Sequence, residues 1–455
     1  MGIEYRQQWP FILPSPRMMS PTKDEIGATS SSSTDADGVA SRSKAARDVA
    51  RGAVVELPLH LTEKILCCIN PLASARLATV CKSWAATISD RLARPVPHLF
   101  VYLPADNKSD RRGRVVSVPI GYDGDDAGAG AGAALPVPAV IPNRVLLADT
   151  NGLACIGAMP SGHLAFASWW SKILLLINPI TGDRQSVQVE EPRRSLVLAA
   201  GGGDDSFISV GTDEHILWRR RAGGGGEEWS RWTVPAAAAH GIVNIVSAAV
   251  CSGCFYILDD DGYVSVIDVA APPPLRMEKL PVASLFDGED RGVASPTPAG
   301  LNNPATKGHL VESDGEVLFV RPVLAFSDEV GAAGGGTRLC NHDAAVFLAI
   351  LGFEVYRLDM KDRRRWAKVE KLPGDRALFV SPGSSPFVVR SSVTAGCRSN
   401  CIYFVGNRWY CSLCNRDAGK AWGVYSMEDR EVLFEHAVTE PGPCSAATWF
   451  LPRVV

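Results

Sequence analysis

Two patterns along the 455 residues predict a small all-α module followed by a large all-β propeller. Between Val55 and Arg91 apolar residues recur at the three-and-four spacing of amphipathic helices. After Pro95 the chain breaks into short apolar runs separated by glycine, proline and aspartate, which is strand-and-turn spacing. The β units return at roughly forty to fifty residues, the scale of a four-stranded propeller blade. That spacing predicts about six to eight blades, with about seven the central expectation.

Within the helical stretch, VVELPLHLTEKILCCINPLASARLATVCKSWAATISDR, Leu61, Ile65 and Ile69 recur with Leu66 beside them. Leu77, Val80, Trp84 and Ile88 repeat the pattern, so two or three short helices are expected. Leu57-Pro58 opens the module, because proline at a first helical turn has no N–H to leave unpaired. Pro71 breaks the chain again after Asn70. This order of an LP start, an apolar helix, a proline-containing turn and VCKSW resembles the F-box. The resemblance implies that Leu57, Pro58, Leu61, Ile65, Leu66, Ile69, Val80, Cys81 and Trp84 form the module's core or meet a Skp-type adaptor. The turn INPLASARLATV departs from the family by being compact and by lacking the acidic residue often found before the second helix. The competing reading is a helical cap packed on the following domain. So few residues barely bury a core of their own, however, and exposed apolar surface here suits an interface.

A chain of this length exceeds one ordinary domain. The pattern divides it into a disordered tail at 1–52, whose mixed charges and SSSTDADG run are too polar to pack, the module at 53–94 and the propeller at 95–455. A formal net charge of −3 with both signs interspersed excludes the electrostatic footprint of a nucleic-acid or acidic-membrane binder, and favours protein partners. The 12 cysteines are scattered, without the dense spacing of a small secreted scaffold, and read as reduced thiols in the cytoplasm and/or nucleus. Trp9 to Leu13 is flanked and interrupted by prolines and is too short for a signal core. The run AAVFLAILGF, Ala344 to Phe353, is about half the length of a membrane helix.

The strand-like segments include RVLLADTNGLACIG, KILLLINPITGDRQSVQV, FYILDDDGYVSVIDV, HLVESDGEVLFVRPV and NCIYFV. Several carry DG, SDG or TGD turns, whose residues tolerate hairpin dihedrals. HLFVYLP (His98 to Pro104) and ATWFLP (Ala447 to Pro452) stand at opposite ends of the region and are expected to pair, closing the ring. The inserts GDDAGAGAGAAL, RAGGGGEEW and GAAGGGTR read as loops between strands. The last third, LGFEVYRLDMKDRRRWAKVEKLPGDRALFVSPGSS, NCIYFV and AWGVYSMEDREVLFEH, resembles the KIB-type β-propeller attached to many plant F-box proteins, as does the INPITG turn. That resemblance implies a protein-recognising surface, no enzymatic activity and no cofactor.

Candidate chemical sites are few. Cys397, Cys401, Cys411 and Cys414 form C-x3-C-x9-C-x2-C, yet Cys401 sits inside a strand, where a thiol packs as a small apolar group; no metal site is expected. CSGC at Cys251 to Cys254 has no helix or cation placed to lower a thiol pKa, so no redox role is expected there. The eight histidines are dispersed and belong to no HExxH motif, and neither GxSxG nor GxxxxGK[ST] occurs. His342 and Asp343 read as a loop pair, Asp259 to Asp261 as a solvated turn, and Arg219 to Arg221 and Lys361 to Arg365 as basic turns. The tryptophans read as core aromatics.

The F-box and KIB-type resemblances together imply a substrate-recognition subunit of a Skp–cullin–F-box ubiquitin ligase. Its partners are a Skp-type adaptor, through it a cullin, and a target protein held by the propeller. The alternatives are a propeller scaffold outside any ligase and a hydrolytic or sugar-binding propeller, which would need convergent carboxylates or a metal in its central channel.

Overall fold

The computed structural model describes residues 57, 58, 61, 62, 65, 77, 82–93, 97–103, 114–119, 139–141, 153–167, 172–179, 182–189, 196–201, 204–211, 214–220, 229–235, 244–272, 275–286, 307–327, 345–360, 365–382, 384–394, 397–411, 416–439 and 446–451. The chain divides into Met1–Glu56 and Leu57–Val455. All of the first unit, including the expected tail, lies outside the described residues.

The second unit begins helically. Leu61 N and Thr62 N both donate to the Pro58 carbonyl, at 2.9 and 3.2 Å, the bonds of a first helical turn opened by proline. Helix α1 spans Lys82–Ala93. Within it the Thr87 hydroxyl donates to Ser83 O at 3.0 Å, and Ile88 is buried.

The strands that follow fall into groups in chain order, antiparallel within each group except for the parallel pairing of the first and third strands of the sixth. The first group holds β1 (His98–Leu103), β2 (Arg114–Pro119) and β3 (Ala139–Ile141). The second holds β4 (Ala154–Ala158), β5 (Leu164–Ala167), β6 (Ile173–Ile177) and β7 (Arg184–Gln188). The third holds β8 (Leu196–Ala200), β9 (Asp205–Val210), β10 (Glu214–Arg220) and β11 (Ser230–Pro235), and the fourth β12 (Ile245–Cys251), β13 (Cys254–Asp259), β14 (Val264–Asp268) and β15 (Met277–Lys279). The fifth holds β16 (His309–Ser313), β17 (Glu316–Ser327), β18 (Ala345–Asp359) and β19 (Arg365–Val369). The sixth holds β20 (Arg376–Val380), β21 (Phe387–Arg390), β22 (Cys401–Cys411), β23 (Arg416–Ser426) and β24 (Glu431–Thr439). The final strand, β25 (Ala446–Phe450), returns to the first group.

That return is the expected closure: β25 pairs antiparallel with β1, placing Leu99 opposite Trp449 and Val101 opposite Ala447. The hairpin turns also follow the sequence. Asp314 and Gly315 both take positive φ, 50° and 77°, in the two-residue turn joining β16 to β17.

The packing shows how the groups are arranged. Strands such as β5 and β12 are buried on nearly every residue, as strands covered on both faces must be, whereas the outer β7 alternates. Each apolar core lies between consecutive groups. Phe100 and Phe450 pack with Phe166 and Ile177, Leu174 and Leu176 with Phe207 and Trp218, and Ile208 and Leu217 with Phe255 and Ile257. Leu258 and Val264 pack with Leu310 and Phe319, Val320 and Val355 with Ile402 and Phe404, and Phe379 and Tyr403 with Leu99 and Trp449. The sixth core thus returns to the first group, so the described strands form a closed ring of six blades, one fewer than the central expectation. Segments such as 287–306 and 328–344, in which no residue is described, add to the chain's length without adding a described strand.

Candidate functional site

At the helical end, Leu57, Leu61 and Ile65 are 42%, 39% and 37% exposed, although all three are large and apolar. Leu61 and Ile65 are helical and four apart, which puts them on one face, and Leu57 stands just before the first turn. Thr62, one residue around the helix from Leu61, is buried at 3%. Pro58 is exposed, and Leu77 and Trp84 are half-buried. Three of the seven large apolar side chains exposed among the described residues thus fall within nine residues, forming a stripe rather than scattered exposure. Leu66, Ile69, Val80 and Cys81 lie outside the described residues.

At the propeller end, the connection after β20 crosses the middle of the ring. Ala158 N donates to Ser384 Oγ at 3.3 Å, and Ser385 Oγ donates to Ala199 O at 2.6 Å. Ser381 Oγ lies 3.1 Å from Thr448 Oγ1 and accepts from Trp449 N at 3.3 Å. One loop therefore ties the sixth blade to the second, the third and the closing strand. All three serines are buried, with their hydroxyls committed to the protein, in the position where a channel-bound sugar would need free polar groups.

A cleft of about 230 Å³ opens instead between the fifth and sixth blades. Leu351 is the extra residue of a β-bulge, since Val323 pairs with Gly352 and Leu324 with Ile350, and it is 55% exposed. Gly352 is required beside it: a Cβ there would stand 2.9 Å from the Tyr425 ring. At the rim, burial opposes ionisation of Glu354, but hydrogen bonds from Arg321 and Lys368 outweigh it and hold the carboxyl below its usual range. Arg430 pairs with Glu370 on the same rim. An apolar floor within balanced ion pairs suits protein side chains better than a charged small molecule.

One polar constellation escaped the sequence reading. Ser161 Oγ lies 2.7 Å from His163 Nδ1, whose Nε2 lies 3.4 Å from Asp183 Oδ2. The residue types are those of a hydrolase triad, but the ring nitrogens are reversed, since a triad sets Nε2 against the serine and Nδ1 against the carboxylate, and the surroundings give the group another role. Arg220 forms a buried ion pair with Asp205, contacts Gln185, and donates to Ser161 Oγ at 3.5 Å, while Asp205 Oδ1 accepts from Ser161 N at 2.9 Å. Burial, the largest influence on His163, lowers its pKa, against the pull of Asp205 and Asp183. Ser161 and His163 are both 3% exposed, so the hydroxyl is spent locking the second blade to the third. The signal available in the sequence was the pair Asp205 and Arg220, charged residues at the ends of strands whose centres, Phe207-Ile208 and Ile216 to Trp218, are apolar.

The remaining candidates separate. Cys401 and Cys411 stand at opposite ends of β22, ten residues or roughly 33 Å apart, so the four-cysteine pattern does not converge on one ion. Cys414 lies outside the described residues; burial pushes Cys397 up to about 12 and Cys401 to about 11. Asp259 is buried rather than solvated, and its carboxylate accepts the N–H groups of Asp261 and Tyr263 at 3.1 and 2.8 Å, a turn-forming role. Arg219 and Arg220 are neutralised by Asp204 and Asp205. His342, Asp343 and 361–364 lie outside the described residues. Trp449, Trp422 and Trp218 are core residues, with Trp229, Trp232 and Trp366 packed against cores.

Helical residues between Leu61 and Ile65 and helix α1 thus precede a closed ring of β blades. The chain belongs to the KIB1-4 beta-propeller family, whose profile matches residues 135–426, and an F-box domain profile matches residues 55–92. No curated protein matches the chain. Among solved structures, a streptogramin B lyase is 11% identical over 63% of this chain and 83% of its own, with a TM-score of 0.29. The β-propeller domain of Cps50 (Swd1) from Myceliophteria thermophila is 10% identical over 64% and 87%, with a TM-score of 0.30. Apo AztD from Citrobacter koseri is 10% identical over 79% and 100%, with a TM-score of 0.29. At this distance no activity is carried over from any of them.

Proposed function

We propose that this protein is the substrate-recognition subunit of a Skp–cullin–F-box ubiquitin ligase. The observation that carries the proposal is the exposed Leu57–Leu61–Ile65 stripe within the F-box match, ahead of a propeller whose profile spans 135–426. An apolar stripe of this kind gains stability when a partner removes it from water, at about 25 cal/mol per Å². In this reading a Skp-type adaptor covers the stripe and connects to a cullin. The propeller, taken as 95–455 behind an F-box at 53–94, holds a target protein near the ubiquitin-charged enzyme. Holding raises effective concentration, so the subunit contributes position and performs no bond chemistry. The reading places the protein in the cytoplasm and/or nucleus.

Purified wild-type protein is expected to capture a Skp-type adaptor in a pull-down, and the Leu57→Ala, Pro58→Ala double variant to lose it. A folded wild type that fails to bind would overturn the ligase reading in favour of a scaffold outside any ligase.

A further inference from the structure

The hairpin joining β12 to β13 sets two cysteines face to face. Cys251 ends one strand, Cys254 begins the next, and their Cα atoms are register partners. The turn between them is two residues long, with Ser252 at φ 49° and Gly253 at φ 82°. Two successive left-handed residues match the twist of the flanking strands and hold the register. Directly opposed residues of an antiparallel pair share a face, with Cα atoms about 4.5–5.5 Å apart. That separation falls inside the range of about 4.4–6.8 Å spanned by disulfides. Both thiols are free; Cys251 is buried and Cys254 half-buried. The hairpin tip also meets the next blade, because a Cβ on Gly315 in the β16–β17 turn would stand 3.9 Å from Ser252 Oγ.

We propose that Cys251 and Cys254 form a reversible oxidation site at which a hydroperoxide converts the facing thiols into a disulfide across the hairpin. The more exposed Cys254 thiolate attacks the peroxide and breaks the O–O bond. Its sulfur becomes a sulfenic acid, and the other peroxide oxygen leaves, from hydrogen peroxide as hydroxide that is protonated to water. Cys251 then attacks that sulfur, forming the S–S bond and releasing a second water that carries away its proton. Two thiols have lost two electrons and one peroxide has gained them.

Two features shape the reactivity. Burial raises the pKa of both thiols, with Asp268 adding to the effect at Cys254. The thiolate is therefore scarce at neutral pH, and oxidation accelerates as pH rises. The Cβ atoms of opposed residues also stand about 4.5–5.5 Å apart, wider than the roughly 3.8 Å that a disulfide prefers. The bond thus closes under strain, and strained disulfides are the more easily reduced.

The test treats the folded full-length protein with hydrogen peroxide, alkylates it, digests it and reads the peptide spanning both cysteines by mass spectrometry. The expected peptide has lost two hydrogens, takes no alkyl group, and regains two alkylation sites after dithiothreitol. The yield at fixed time is expected to be several-fold higher at pH 9 than at pH 7. In Cys254→Ser, Cys251 is expected to remain alkylatable under the same treatment. Two sites that stay alkylatable in the wild type, over-oxidation to sulfinic acid without a disulfide, or pairing with other cysteines would each overturn the proposal.

Discussion

His309 shows how a single side chain sets the conditions under which the ring is stable. It begins β16 and is buried there, and burial depresses its pKa from 6.5 to about 4. In the folded state it stays neutral where the unfolded chain takes up a proton, so stability is complete above about pH 6.5 and falls as the pH drops toward 4. That difference is worth about 3 kcal/mol. Burial lowers His215 in the same direction, and His163 as well. Urea unfolding midpoints of the wild type are therefore expected to fall between pH 7 and pH 4.5, and those of His309→Gln to fall less. Equal slopes for the two proteins would contradict this account. None of this was visible in the sequence, which shows eight scattered histidines; burial, which the sequence leaves open, decides their chemistry.

At the scale of elements, β25 carries the closure of the ring. Its Trp449 is 1% exposed and meets Phe379 edge-on at 5.4 Å and Trp422 at 5.7 Å. Truncating a buried tryptophan typically costs about 3–5 kcal/mol, and losing the strand also opens its ladder with β1. Deletion of residues 447–455 is expected to lower the melting temperature by at least ten degrees or so, or to prevent folding. An unchanged melting temperature would mean that the ring closes by other contacts. The pairing was legible because two apolar strand patterns stood unmatched at the two ends of the β region. The serine loop after β20 was not. SPGSSP reads locally as a turn, and its partners Ala158 and Ala199 are 226 and 186 residues away.

For the whole molecule, the helical stripe and the propeller are separable by substitution. Leu61→Asp with Ile65→Asp places charges on side chains already in contact with water. The double variant is expected to keep the melting temperature within a few degrees of wild type while abolishing adaptor capture. A large fall in melting temperature would identify the stripe as part of the fold. The sequence by itself determined the order of architecture, helical spacing then strand spacing, and with it the family, because periodicity and turn chemistry are local properties. It also placed the two ring-closing strands. Only the tertiary structure decided that the described blades number six, that Ser161 and His163 serve an inter-blade lock, and that Cys401 and Cys411 lie a full strand apart. Those outcomes depend on which distant segments share a core, and burial and long-range register follow from the packing of the whole ring rather than from any stretch of it.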